Sequence, residues 1–232
     1  MIPPAADARP SPVRPLLCTL LAILGGLGCA RIYRPVTLAP PPAALQGADL
    51  SGQLILQPWG DNSRYERKAL HANLRLLVLT LENTTATDLE ILRLELPEAT
   101  TALRPEAAAK LVKQPSLAYL LYPVLPGLAA LGASDQGGFG PSDRALLQGF
   151  AILGACIGVP NAIIAAQSNR RLEAFFRGQA WSPGTLDANQ TRRGLVFLRS
   201  PDPYAPLPVQ VVYRGPAGER RLALIGPGAR PL

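Results

Sequence analysis

The stretch that decides the fold is residues 74–96, LRLLVLTLENTTATDLEILRLEL. Residues 72–82 are rich in leucine with polar residues interleaved, which predicts a long β-strand. Residues 83–86, Asn-Thr-Thr-Ala, form turns readily, and residues 88–96 predict a second strand. A strand, a short turn and a strand indicate a β-rich domain.

The second of these strands changes its apolar face midway. Leu89 and Ile91 would lie on one face of a regular strand, whereas Leu92, Leu94 and Leu96 would lie on the other. Since a slip of one residue moves every following side chain to the opposite face, the pattern requires an inserted residue. It therefore predicts a β-bulge near Ile91.

Further segments carry β signals on either side of this pair. Residues 53–57 precede the turn-forming Trp59-Gly60-Asp61-Asn62, which predicts a hairpin. Late in the chain, strands are predicted at residues 194–199, 207–214 and 219–225. The last two flank Gly215-Pro216-Ala217-Gly218, which is typical of a hairpin loop.

Between the two β blocks, residues at about 105–178 predict an apolar helical insertion. Residues 105–113 predict a short amphipathic helix with proline in its first turn. Residues 117–133 and 145–166 are uncharged apolar runs joined by a polar, glycine-rich link, which predicts a helical hairpin. The hairpin could pack on its own sheets or on a sister subunit, insert into a membrane, or line an apolar ligand cavity.

Four residues of this region and Trp181 just after it are candidates for helix packing or membrane contact. Gly154 and Gly158 have the small-x-x-x-small spacing that lets helix backbones approach closely. Tyr119, Tyr122 and Trp181 are amphipathic aromatics that could anchor at a membrane interface, or equally fill a core or its rim.

The strand pattern resembles a known fold. Residues 74–96, followed later by Ser182-Pro183-Gly184 and the strand Gly194-Leu195-Val196-Phe197, resemble the immunoglobulin-like β-sandwich of many uncharacterised bacterial lipoproteins. The resemblance covers about 90 residues and implies a mainly β domain, which we predict over residues 51–226. The apolar helical hairpin that interrupts it is a departure from an ordinary sandwich. The resemblance implies a fold and no activity.

The N-terminus has the order of a secretory signal peptide. Arg9 and Arg14 precede the apolar residues 16–27, and small residues follow, which predicts a leader over residues 1–28. Because this apolar run is shorter than the roughly 17 to 25 residues that span a bilayer, we expect cleavage rather than a permanent anchor.

The end of the leader resembles the lipobox of bacterial lipoproteins. Leu27, Gly28 and Cys29 match its last three positions, whereas Gly26 stands where the family usually has leucine. The resemblance implies covalent diacylglycerol on Cys29, with plain secretion or an uncleaved anchor as the alternatives. Ala30, in place of aspartate, implies the outer membrane, facing the periplasm.

The rest of the mature chain follows from composition. Residues 29–50 are rich in proline and alanine, which predicts an extended tether, and residues 227–232 predict a disordered tail. Cys156 lies in an apolar run and is predicted to be a buried small hydrophobe.

Catalytic groups are scarce. His71 is the only histidine, which excludes a multi-histidine metal site, and no metal or cofactor site is predicted beyond the lipid. Two of the acids Glu66, Asp88, Glu90 and Glu95 could pair for glycoside hydrolysis, but alternating acids on a strand usually face water. We therefore predict a protein that is not an enzyme.

The net charge of +7 comes from scattered arginines, and the export signal argues against nucleic acid as a partner. The sequence thus predicts a lipid-anchored envelope protein that acts as an interaction or structural module. Its partners would be the membrane, an envelope protein, or a second copy through the apolar insertion. The competing hypothesis is a carrier or sensor of an apolar ligand or lipid, with the insertion as a lid.

Overall fold

The computed structural model describes residues 29–40, 49–121, 124 and 141–228. The predicted leader, Tyr122, most of the first apolar run and the last four residues lie outside this description, so the predictions made for them stay predictions.

The chain divides into two compact units. Unit 1 comprises Met1–Ile32 and Gln114–Gln167, and unit 2 comprises Tyr33–Lys113 and Ser168–Leu232. The helices are α1 Ser63–His71, α2 Pro105–Val112 and α3 Pro141–Gln179, with a 3-10 turn at Ser116–Leu120. The strands are β1 Leu50–Leu56, β2 Leu74–Asn83, β3 Leu89–Glu95, β4 Thr101–Leu103, β5 Gly184–Leu186, β6 Thr191–Arg199, β7 Leu207–Gly215 and β8 Gly218–Gly226.

The strands of unit 2 form two antiparallel sheets of four strands each. Sheet A has the order β1-β2-β6-β4, and sheet B has the order β5-β3-β7-β8. One apolar core joins them, with Leu79 and Leu198 from sheet A and Ile91 and Val211 from sheet B. Two such sheets around a shared core are consistent with a β-sandwich.

Strand β2 is buried on both faces. Leu77, Leu79 and Leu81 belong to the core shared with sheet B, while Leu76 and Val78 belong to a second core on the other side of sheet A. This position explains the nearly continuous leucine run, because a strand covered on both faces has no water-facing side.

The second core lies under a layer of helices. Tyr65 of α1, Val112 of α2 and Phe176 of α3 are buried there against sheet A. The rings of Phe176 and Phe197 are 4.7 Å apart, which joins the end of α3 to β6. Unit 2 therefore has three layers: helices, sheet A and sheet B.

Several local predictions are confirmed. The β3 and β7 register shifts between Ile91 and Arg93, which is the predicted bulge. Strands β7 and β8 form the predicted hairpin, closed by the pair Gly215 and Gly218. Helix α2 begins with proline in its first turn.

The hairpin predicted after residues 53–57 is wrong. Strands β1 and β2 do pair antiparallel, but helix α1 connects them. Tyr65 and Ala69, four residues apart, bury one side of α1, and Glu66 lies in its first turn. His71 is consequently the last residue of α1 and exposed.

Unit 1 contains the segment Cys29–Ile32, the 3-10 turn and the first part of α3 among its described residues. Tyr119 and Ala165 are buried together, with Ala30 and Ala162 packed against them. Among the described residues, no helix combines the length and the hydropathy that a membrane span requires.

Candidate functional site

The predicted lipidation residue, Cys29, is exposed in unit 1. The residues that follow it are hydrogen-bonded. The Ala30 N–H donates to Asn161 Oδ1 at 2.7 Å, and Arg31 exchanges two bonds with the side-chain amide of Gln114, at 3.1 and 2.6 Å. Gln114 is buried, and its side-chain amide fixes the backbone at Arg31.

In unit 2 the chain continues as a docked segment, which we call the strap, residues 33–39. It is extended, as predicted for a tether, but it packs on the domain. Tyr33 is 1 % exposed, and its ring meets Tyr65 edge-on at 5.4 Å and Phe175 at 6.1 Å. The Tyr33 N–H donates to Ser168 Oγ at 3.1 Å.

Burial changes the acidity of Tyr33. Desolvation raises the pKa of its phenol far above the ordinary value of 10.0, and the neighbouring Tyr65 raises it further. The hydroxyl is buried and has no hydrogen-bond partner among the residues that the structure describes. Tyr33 therefore stays neutral, and its ring packs as an apolar side chain between α1 and the end of α3.

Asn62 fastens the strap one residue later. Its Oδ1 accepts the Arg34 N–H at 3.0 Å, and its Nδ2 donates to the carbonyls of Arg34 and Trp59, both at 2.8 Å. Asn62 is also the residue before α1, yet its side chain makes no capping bond to that helix. The amide is committed to the strap instead of the helix.

Gln57 fastens the far end of the strap. Its Oε1 accepts the Ala39 N–H at 3.0 Å, while its Nε2 donates to the carbonyls of Thr37 at 3.1 Å and Pro58 at 2.9 Å. Arg193 also donates to the carbonyl of Ala39. Gln57 and Asn62 are both buried, so each amide replaces water for backbone groups that no sheet pairs.

Sequence reasoning did not identify these amide residues. Asn62 matched a turn and Gln57 the end of a strand, and nothing local links them to residues 28 and 18 positions earlier. The strap's proline, Pro35, and its neighbour beyond the strap, Pro40, indicated an extended chain without a binding surface.

The candidate packing residues lie at different places. Gly154 and Gly158 are buried in the unit 1 part of α3, and Tyr119 is buried in the 3-10 turn. The prediction that Cys156 is buried is wrong, because it lies on the exposed side of the same helix. An apolar sequence does not reveal which side of a helix is covered.

Trp181 lies in unit 2 and packs against the core between the sheets. Its backbone N–H donates to the Leu195 carbonyl at 2.9 Å. A Cβ on Gly194 would stand 2.7 Å from the Trp181 Cα, so only glycine admits this close approach. The structure therefore gives Trp181 a packing role.

Three of the four acids considered for catalysis are engaged in separate contacts. Glu90 pairs with Arg214 at 3.2 Å, Glu95 with Arg93 at 2.8 Å, and Asp88 Oδ1 accepts the Ala188 N–H at 3.0 Å. Glu66 lies on α1. In the described parts of the chain, no three His, Cys, Asp or Glu side chains cluster to hold a metal.

The outer face of sheet B is exposed and charged. Cross-strand ion pairs join Arg214 to Glu90, Arg221 to Glu95 and Arg93 to Glu219. Exposed ion pairs of this kind contribute little to stability, so these pairs mark a charged surface rather than hold the sheet together.

Unit 2 also contains a cavity of about 580 Å³. Its lining is mostly apolar and includes Trp59, Ala69, Leu70 and Leu74, with Glu66 at one side. The cleft expected from the competing hypothesis would be lined by residues 117–133 together with the sandwich, whereas the described lining residues of this cavity all belong to unit 2.

Comparison of the chain with protein-family models, curated proteins and solved structures found no match in any of the three.

Proposed function

We propose that this chain is a lipid-anchored protein of the cell envelope that acts as a non-enzymatic interaction or structural module. Diacylglycerol on Cys29, after removal of residues 1–28, is the anchor, and unit 2 is the module. The location that fits the residue after the cysteine is the outer membrane, facing the periplasm.

One observation carries this proposal: an exposed Cys29 follows a leader-like apolar segment and Gly28, and the chain is fastened from Ala30 onward. A lipid on Cys29 would therefore tether a folded part of the chain instead of a flexible chain end. The side-chain amides that bind the strap support the same proposal, because they give the extended segment after Cys29 a defined path.

The module, in this proposal, is an immunoglobulin-like sandwich. Two antiparallel four-stranded sheets with a leucine-rich shared core support that assignment. Its interaction surface would be the outer face of sheet B, where acidic and basic side chains are exposed in defined ion pairs. Such a pattern favours partners of complementary charge.

The test is the mature N-terminus. The full chain is produced in a Gram-negative host, and intact-protein mass spectrometry and fatty-acid labelling are applied to the purified product. We expect a chain that begins at Cys29 and carries acyl groups. Cys29→Ser should abolish the label, whereas the matched variant Cys156→Ser should retain it. A mature chain that begins elsewhere, or that carries no acyl group, would refute the proposal.

A second function is favoured by the cavity of unit 2. We propose as the alternative a carrier or sensor of an apolar ligand, because about 580 Å³ lined by apolar side chains is within the range of small-molecule sites. Trp59 lies in the lining, so its fluorescence should report occupancy.

To decide between them, fatty acids and phospholipids are titrated against the purified full chain. The carrier function predicts saturable quenching or enhancement of Trp59 emission, reduced in Leu70→Trp, which fills the cavity. Ile225→Trp adds the same ring at an exposed site and should leave binding unchanged. Absence of a saturable signal with every lipid class would remove the carrier hypothesis.

A further inference from the structure

Unit 1 exposes most of the apolar surface found in the described residues. Eleven large apolar side chains are exposed in the described part of the chain, and nine of them belong to unit 1. The nine are Ile32, Leu117, Leu120, Leu121, Val124, Ile152, Ile157, Val159 and Ile163. Surfaces that face water rarely carry so many exposed apolar side chains, so their concentration in unit 1 indicates contact with an apolar partner.

Part of this surface is a stripe along one side of α3. The stripe residues are Ile152, Cys156, Val159 and Ile163. They recur at intervals of four, three and four, which places them on one helix face. The opposite face holds the buried Gly154, Gly158 and Ala165. Helix α3 is thus packed on one side and exposed on the other, and both sides are apolar.

The lack of charged residues in this part of α3 supports contact with an apolar partner. Residues 145–169 contain no Asp, Glu, Lys or Arg. A helix that faces water on one side normally carries charged or polar residues there. The exposed stripe of α3 lacks the chemistry of a water-facing surface.

We propose that this apolar stripe lies in the lipid–water interface of the bilayer that holds Cys29, so that unit 1 is a second, non-covalent membrane contact. The inference rests on the proposed lipidation of Cys29. That residue and Ile32, which is 57 % exposed, belong to unit 1, so acyl chains on Cys29 would enter the bilayer beside this unit.

The dimensions fit an interfacial position. The stripe covers twelve residues of helix, which is about 18 Å at the usual rise. A helix needs a longer apolar run to cross the hydrocarbon core of a bilayer, which is about 30 Å thick. A one-sided apolar stripe suits a helix that lies along the headgroup boundary. Binding of such a helix scales with the apolar area that it buries, so the stripe would add a contact to the two acyl chains of the diacylglycerol.

Cys156 provides a native probe of the stripe. Cys18 leaves with the leader and the Cys29 sulfur becomes a thioether, so Cys156 is the one remaining cysteine thiol of the processed chain. The full chain is purified in mild detergent, spin-labelled at Cys156 and returned to vesicles of phosphatidylethanolamine and phosphatidylglycerol. Collision of the label with oxygen, which concentrates in lipid, is compared with collision with a water-soluble nickel chelate.

We expect the collision rate of the Cys156 label with oxygen to exceed its collision rate with the nickel chelate several-fold. The control is Cys156→Ser combined with Ile225→Cys, whose site in unit 2 is 73 % exposed, and there the nickel chelate should dominate. A water-accessible label at Cys156 would overturn the proposal. Low collision with both reagents would overturn it too, because it would show the stripe covered by a second copy or by this chain.

The same sample separates failure of this inference from failure of the lipid anchor. Acylated protein carries one label, whereas protein without acylation carries a second label on Cys29. In that second case the proposed function fails, and the depth measurement is repeated on a chain with Cys18→Ser and Cys29→Ser, in which Cys156 is the one thiol. A lipid-facing label in that chain would support the membrane contact without the covalent anchor, and a water-facing one would overturn it.

Discussion

The side chain of Asn62 satisfies both backbone hydrogen-bonding groups of Arg34, with the N–H at 3.0 Å and the carbonyl at 2.8 Å. A neighbouring strand would supply the same pair of bonds. One buried amide therefore does locally what sheet pairing does elsewhere, and Gln57 repeats the arrangement at the other end of the strap.

Replacement of Asn62 should destabilise unit 2. Asn62→Ala removes three hydrogen bonds and leaves the part-buried backbone N–H and carbonyl of Arg34 without this partner, which should lower the free energy of unfolding by about 1 to 3 kcal/mol. Urea denaturation followed by circular dichroism measures this change. Gln210→Ala, at an exposed site on β7, serves as the matched control and should stay within about 0.5 kcal/mol of wild type. Equal stability of the two variants would show that the strap is not fastened by Asn62.

Hydrogen exchange should show the strap as protected. The amides of Tyr33, Arg34 and Ala39 are hydrogen-bonded to buried side chains and should exchange slowly. In Asn62→Ala the Arg34 amide should exchange at least about tenfold faster, since about 1.4 kcal/mol of opening free energy corresponds to a factor of ten. The Leu198 amide in β6 reports global unfolding, and the expected acceleration at Arg34 should exceed the change there. Fast exchange along the strap in the wild-type protein would contradict the docked conformation.

Tyr33 should make unit 2 sensitive to alkali. Its folded pKa lies above the unfolded value of 10.0, so the unfolded chain releases the proton first as the pH rises. The contribution to stability is complete below pH 10 and is lost as the pH rises above it.

The variant Tyr33→Phe tests this dependence. It removes the buried, unpartnered hydroxyl, so stability at neutral pH should be unchanged or raised by up to about 1 kcal/mol. The loss of stability above pH 10 should become smaller. Tyr204→Phe, at an exposed tyrosine, should leave the alkaline profile as it is in wild type. An unchanged profile in Tyr33→Phe would mean that the Tyr33 phenol ionises normally in the folded state.

Gly194 should tolerate no side chain. A Cβ at this position would lie 2.7 to 2.9 Å from Trp181 backbone and side-chain atoms, so Gly194→Ala should cost about 1 to 3 kcal/mol of stability. Gly178→Ala in α3 is the matched control, because no atom lies within 4 Å of its added Cβ. In a helix this change should stabilise by up to about 1 kcal/mol. Thermal unfolding of both variants distinguishes crowding at Gly194 from a general intolerance of alanine.

Much of the sheet framework could be predicted from the sequence, because its signals are local. Alternation and turn residues are enough to place β2, β3, β7 and β8, and the phase slip locates the bulge between Ile91 and Arg93. Helix α1 was missed because the turn at Trp59–Asn62 is compatible with either a hairpin or a helix start. The spacing of Tyr65 and Ala69 was the available signal for the helix.

The strap could not be predicted in the same way. Whether Gln57 and Asn62 bind water or backbone depends on a segment that reaches them only after folding. The exposure of Cys156 was equally hidden, since a helix that is apolar all round does not encode which side is packed.

The bond from Tyr33 to Ser168 spans 135 positions of the chain, and under the proposed export that span would set an order of events during biogenesis. If the chain is threaded across the inner membrane from its N-terminus, residues near Cys29 emerge long before Ser168 exists on the far side. While the leader is processed, the Tyr33 N–H would therefore lack its partner Ser168. Acylating and cleaving enzymes would therefore meet an unfolded substrate, and closure of the strap would come last, once the second half of the chain had arrived.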